Sequence, residues 1–157
     1  MIEVNNMKDV FLKLIGNTTF LTVISGVLVY VLSQLYMEKI INPRKEFRAI
    51  RQKIIYSISM CSQYYHNPYN LLNEKSNIRD KSEYENASIE MRKVGCELAG
   101  YIGTIPKIRF NKIKKLNVVL DSLIGISNGF YIVSKDYNVI KDNKEDEEVI
   151  KKILDFK

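Results

Sequence analysis

His66 is the only histidine of the chain, and Cys61 and Cys96 are its only cysteines. Imidazole and thiolate are the groups that most often hold zinc or begin a nucleophilic attack, and either task needs partners at short, fixed spacings. One histidine and two distant cysteines do not make such a set, so no metal is expected. Each cysteine sits on an apolar helical stripe and reads as a small buried hydrophobe. The run Glu145-Asp146-Glu147-Glu148 offers carboxylates to a divalent cation. Its plainer use is to complement the positive end of a helix that starts there. Gly100 and Gly103 precede Lys107, yet no strand leads into them and Ile108, not Ser or Thr, follows the lysine, so this is no phosphate loop. The densest mixture of aromatic and polar groups is Tyr64-Tyr65-His66-Asn67-Pro68-Tyr69. It reads as the closure of a helix packed at the end of a bundle, with a ligand-lining role as the alternative. No catalytic residue and no cofactor site is assigned, and the reading is of a non-enzyme.

The elements around these groups begin with a segment that carries no charged side chain from Leu14 to Met37. A helix of about 20 apolar residues crosses a hydrocarbon core of roughly 30 Å. The run exceeds a signal-peptide core, and Ser33-Gln34-Leu35-Tyr36-Met37 has no small-x-small cleavage site. The expected organisation is therefore a tail over 1–16, a transmembrane helix over 17–37 and a helical domain over 38–157. Lys8 and Lys13 precede the span, whereas Lys39, Arg44, Lys45, Arg48, Arg51 and Lys53 follow it closely. Positive charge stays on the cytoplasmic side, which predicts an N-out, C-in anchor in a bacterial inner (plasma) membrane. Those six cations are the candidate contacts to anionic headgroups. Phe20 at one end and Tyr30 and Tyr36 toward the other suit interfacial anchoring. Thr18, Thr22 and Gly26 stand four apart and form a candidate small-residue face for contact between spans.

Pro43 predicts a kink or restart where the span hands over to a helix over 44–65. Phe47, Ile50, Ile54, Ile58, Cys61 and Tyr65 line one face of it. His66-Asn67-Pro68 breaks that helix, and a loop runs to about Lys81. Ser82 and Glu85 have the form of a capping box opening the next helix. Its stripe is Tyr84, Ala87, Met91, Val94, Leu98, Ile102 and Ile105, with Gly95, Ala99 and Gly103 thinning the adjacent strip before Pro106. A third helix is expected over 111–133, with Ile113, Leu116, Leu120, Ile124, Ser127 and Tyr131 on one side. A polar linker over 134–143 leads to a last helix over 144–156 carrying Val149, Ile150, Ile153 and Leu154. No strict alternation is sustained, so the fold class is all-α: one N-terminal transmembrane helix followed by a small cytosolic antiparallel helical bundle.

Three segments together, FLTVISGVLVYVLSQLYMEKIINP, SQYYHNP and LIGISN, resemble a scattered group of small bacterial proteins with one N-terminal span and a cytosolic helical region. The likeness runs from Phe20 to Asn128. It implies architecture and bacterial origin, and it brings no activity and no site residues with it. The wealth of Ile, Lys, Asn and Tyr without Trp matches a low-G+C coding bias.

The net charge is +6 and unevenly spread. Lys107, Arg109, Lys112, Lys114 and Lys115 cluster without an acid among them. Such a cluster can meet phosphate, but Phe110 is its only aromatic and no nucleic-acid-binding motif accompanies it, which argues against nucleic acid. The leading expectation is a membrane-anchored protein-interaction or scaffold module, whose partners are the lipid bilayer, anionic headgroups, and another protein or a second copy in a homo-oligomer. The alternative is a membrane-perturbing effector of toxin or phage-defence type, acting through association of its span.

Overall fold

The computed structural model describes residues 16–77, 79–134 and 138–155. Most of them are helical. The chain divides into two compact units, one up to Lys45 and one from Glu46 onward.

In the first unit the helix α1 (Thr18–Tyr36) begins where the Asn17 side chain accepts from the backbone N–H groups of Thr19 at 3.0 Å and Phe20 at 3.4 Å. This is the cap that satisfies orphan donors at a helix start. No α1 residue is buried. The segment is long and apolar enough to cross a membrane. A wider π turn (Met37–Ile41) follows, in which the N–H of Asn42 reaches back five residues to the Met37 carbonyl. The next helix, α2 (Asn42–Tyr65), opens with Pro43 as its second residue. A proline ring crowds the carbonyl four residues back and cannot donate to it, and a single π turn is a common way to absorb that conflict. The expected kink or restart thus takes the form of a π turn, with the helical assignment unbroken from Thr18 to Tyr65.

The second unit holds the core. Along α2 the predicted stripe is buried at Ile50, Ile54, Ile58, Cys61 and Tyr65, and Phe47 packs against it half-buried. After α2 comes the two-residue strand β1 (Tyr69–Asn70), then a short 3-10 turn (Glu74–Ser76) and the helix α3 (Lys81–Thr104). A second 3-10 turn (Lys107–Arg109) leads to α4 (Phe110–Asn128), then to the strand β2 (Tyr131–Ile132) and to α5 (Val139–Leu154). The backbones approach most closely between α3 and α4 and between α4 and α5. At Gly95 a Cβ would lie 3.6 Å from the Leu120 side chain, an ordinary contact, so the first approach does not require a glycine there. Gly103 and Gly100 face open space, so the thinning expected at Gly103 has no neighbour to admit.

Four expected boundaries or faces are corrected. Asp80, not Ser82, stands before α3, so Ser82 falls inside the first turn and the capping box does not form. The third helix ends at Asn128, because Gly129 closes it and the β-branched and aromatic residues beyond it pair as a strand. Of its predicted stripe Leu116 and Ser127 are buried and Ile113 and Leu120 half-buried against the core, but Ile124 is exposed, and the buried face also takes in Val119, Leu123 and Ile126. The last helix starts at Val139 rather than 144, capped by Asn138, whose side chain accepts from the Lys141 N–H. Consequently Glu145 to Glu148 lie in the middle of α5 and do not complement its N-terminus.

Two strands and one amide close this unit. Tyr69 pairs with Tyr131 and Asn70 with Ile132 in parallel register. The N–H of Tyr69 donates to the Phe130 carbonyl at 2.8 Å, and that of Leu71 to Ile132 at 3.2 Å. Beside them the Asn143 side chain donates to the carbonyls of Tyr65 and Gly129, each at 2.7 Å. Both carbonyls lie at helix ends, where the helix itself leaves acceptors without donors. Asn143 is buried.

The clamp makes a prediction. Replacing Asn143 by Ala takes the donor from one buried and one half-buried carbonyl and should lower the unfolding free energy by roughly 1–3 kcal/mol. Gly129→Ala should act in the same direction, because a Cβ there would overlap the Asn143 amide. Urea unfolding of the detergent-solubilised chain, followed by circular dichroism, reads both variants. A change under about 0.5 kcal/mol for Asn143→Ala, the range of ordinary surface substitutions, would show that the clamp is dispensable.

Candidate functional site

The groups singled out for chemistry are mostly committed to holding the helices together. The His66 Nε2 lies 2.8 Å from a Glu147 carboxylate oxygen, and the other Glu147 oxygen pairs with Lys151 at 2.6 Å. Burial pushes the Glu147 carboxyl up, but the hydrogen bonds and charges of Lys151 and His66 outweigh it and hold the group below its ordinary value. Tyr65, buried beneath this pair, has its phenol pushed well up by burial and by Glu147. The arrangement ties the end of α2 to the middle of α5. Among the described residues no group of three His, Cys, Asp or Glu side chains could hold a metal ion.

The two cysteines part company. Cys61 is buried, its Sγ 3.8 Å from the Ala87 carbonyl, and burial together with the Glu90 charge raises its thiol to about 11. A thiol so placed is protonated at neutral pH and a poor nucleophile. Cys96 is exposed on α3, which corrects the expectation of two buried thiols.

Two clefts open on this unit. One, of about 450 Å³, runs between α2 and α3, with Tyr56 and Met60 exposed on its rim and Cys61, Tyr64 and Ala87 deeper. Its polar edge is Tyr64, whose hydroxyl donates to Glu83 at 3.3 Å while the Arg79 guanidinium sits 5.3 Å over its ring. The other, of about 490 Å³, lies by the strand pair. Its asparagines serve the loop: the Asn77 amide binds both the N–H and the carbonyl of Asn70, and the Asn70 side chain accepts from Leu72 and Asn73. The Tyr84 hydroxyl closes the same wall on the Asn67 carbonyl at 2.9 Å.

The six cations proposed for headgroups divide. Arg51 is turned to the end of α5, donating to the Leu154 carbonyl at 2.7 Å and to that of Asp155 at 2.6 Å. There it meets the negative end of the helix dipole, and Asp155 closes the helix in the left-handed region at φ 51°. Lys53 pairs with Glu97 at 2.6 Å. Lys39, Arg44, Lys45 and Arg48 have no ion pair among the described residues. In α1 the Thr22 hydroxyl donates back to the Thr18 carbonyl at 2.8 Å, and a Cβ on Gly26 would meet nothing within 4 Å, so the Thr18/Thr22/Gly26 face is open.

No family model, curated protein or solved structure matches the chain. The residues that reasoning from sequence passed over are Asn143 and the exposed pairing of Ile108 with Phe110 as apolar groups. Asn143 had no signal, since its role depends on carbonyls far away in sequence. The pair did have one, two large apolar groups set among cations.

Two outcomes follow for the solubilised chain. Cys96 should be alkylated by a maleimide within minutes while Cys61 stays unlabelled until denaturant is added, as read by peptide mass spectrometry. Equal labelling of both in the folded state would contradict the buried thiol. For Glu147, whose folded value lies below its ordinary 4.5, the stability it supplies is complete above that pH and is lost as the pH falls through the folded value. Asp146 works in the opposite sense, because burial raises it, with Ser122 opposing and Asp142 and Glu145 adding to the rise. Glu147→Gln should therefore be less stable than the wild type at pH 7, with the gap closing toward pH 3 in unfolding midpoints. A gap independent of pH would assign the loss to packing alone.

Proposed function

We propose that this protein is a membrane-anchored interaction module: a single N-out, C-in span in a bacterial inner membrane, carrying a cytosolic antiparallel helical bundle that binds another protein or a second copy of itself. The observation that carries the reading is the contrast between the two units. The second closes its own core, whereas α1 buries none of its residues and exposes Leu21, Val23, Val27, Leu28, Val29 and their neighbours all round. An apolar surface of that kind needs a non-aqueous environment, and a bilayer supplies it. Supporting the antiparallel arrangement, the pairs Lys53–Glu97, Cys61–Ala87 and Tyr64–Glu83 step in opposite senses along α2 and α3. The pairs Lys112–Tyr101 and Arg92–Asn128 do the same for α3 and α4.

Most of the side chains singled out for chemistry are engaged in the fold, Cys96 being exposed, and what remains presented is surface. The cleft between α2 and α3, rimmed by Tyr56 and Met60, is the apolar site best suited to receive a partner side chain. A photo-crosslinking residue at Met60 in intact cells tests this, with phosphatase and fluorescent-protein fusions at the C-terminus fixing the orientation. A discrete adduct from Met60, absent from a probe at Lys144, is the expected result, and an adduct of twice the monomer mass would name a second copy. No adduct from Met60, or an active phosphatase fusion with a dark fluorescent one, would sink the partner reading or the orientation respectively.

A further inference from the structure

We propose that the turn joining α3 to α4 is a second membrane contact, docking on an anionic bilayer with Ile108 and Phe110 entering the headgroup layer and Lys107, Arg109, Lys114 and Lys115 meeting lipid phosphates. The proposal rests on the membrane-anchored reading and extends it to a surface outside the span and the basic segment that follows it. Ile108 is 93% exposed and Phe110 67% exposed, although their neighbours Ile105 and Leu116 are buried in the core. The turn therefore reaches the interior and still leaves its two largest apolar side chains outside. The 3-10 geometry after Pro106, held by the Arg109 N–H on the Pro106 carbonyl at 2.9 Å, sets Ile108 at the tip. Phe110, Lys114 and Val118 then stand four apart along α4, all exposed, so the apolar tip continues as a row that alternates with cations.

Charge identifies the occupant. No Asp or Glu occurs between Glu97 and Asp121, and Lys107, Arg109, Lys114 and Lys115 are exposed without an ion pair among the described residues. Lys112 is the exception and has another task. Its ammonium donates to the Tyr101 hydroxyl at 2.7 Å and lies 4.5 Å from the centre of the Phe47 ring, itself stacked on Tyr101. This cluster fixes the turn beside Phe47, at the start of the second unit, only about three helical turns along the chain from Tyr36 at the end of the span. A basic surface tethered so close to a bilayer meets phosphate at high effective concentration. A nucleic acid would call for stacking platforms, whereas an isoleucine and one phenylalanine among cations have the make-up of an interfacial anchor.

The test uses the full chain with Cys96→Ser and Asn111→Cys, labelled with an environment-sensitive fluorophore and reconstituted in phosphatidylcholine with or without about one quarter phosphatidylglycerol. Asn111 is exposed in the turn and leaves both anchors in place. Spin-labelled lipid should quench the probe in the anionic bilayer and much less in the neutral one. Each cation changed to Gln should lower the docked-to-undocked ratio roughly fivefold at low ionic strength. Ile108→Ser with Phe110→Ser should abolish quenching while the circular dichroism stays unchanged. Equal exposure of the probe to water in both bilayers would overturn the proposal, as would a probe that responds only to an added single-stranded oligonucleotide. A control label at Val27 reports the span independently. If lipid fails to quench that control, the anchor reading falls, and quenching at Asn111 by added anionic vesicles still decides the turn.

Discussion

One side-chain amide holds the ends of two helices. Asn143, inside α5, gives its two N–H groups to the last carbonyl of α2 and to the carbonyl that follows α4. A buried carbonyl without a donor costs about 1–3 kcal/mol, so these bonds decide whether the two chain exits can be interior at all. Because they can, the segments leaving α2 and α4 run side by side and form a parallel two-residue bridge. Tyr65 and Phe130 are then wholly buried and meet edge to face, as do Tyr69 and Tyr84. Parallel strands are rare in helical domains because they need a long crossover, and here α3 and α4 together supply it.

The same constraint draws groups that sequence offers for chemistry or for lipid into the fold. His66 follows Tyr65 directly and is drawn to Glu147, one turn beyond Asn143 on α5. Arg51, one of the cations that sequence offers to lipid, serves the far end of α5. Each of these joins elements distant in sequence, which is what a small unit needs when its core is modest.

How far the sequence reveals this depends on the range of the interaction. Helical periodicity found the buried faces of α2 and α3, since a stripe such as Ile50, Ile54 and Ile58 is a local pattern. On α4 it found Leu116 and Ser127, with Ile113 and Leu120 at the edge of the core, but passed over Val119, Leu123 and Ile126, because apolar residues run round this helix and only the packing of α3 and α5 on either side selects the buried face. The beginning of α5 was hidden for a similar reason. Beyond Val139 and Ile140 its opening turns are polar, and one of those polar residues, Asn143, is buried and holds two carbonyls. For the surface, the six cations after the span read alike in sequence, yet Arg51 and Lys53 are spoken for while Arg48 is not.

The reach of the Arg51 contact bears on the order of events during synthesis. Arg51 and Leu154 are 103 residues apart, and Tyr65 and Asn143 are 78 apart. Closing such long loops is slow compared with forming a helix, and the later partner of each pair, the Leu154 carbonyl or the Asn143 amide, is made long after the group that awaits it. The apolar α1, by contrast, is translated early and needs no later residue to become helical. Under the anchored reading proposed above, delivery to the bilayer would precede completion of the core, and the nascent second unit would acquire its native packing as a chain already held at a surface rather than one diffusing freely. Tethering of this kind keeps half-formed helices with exposed stripes apart from one another in solution while the last helix is still being made.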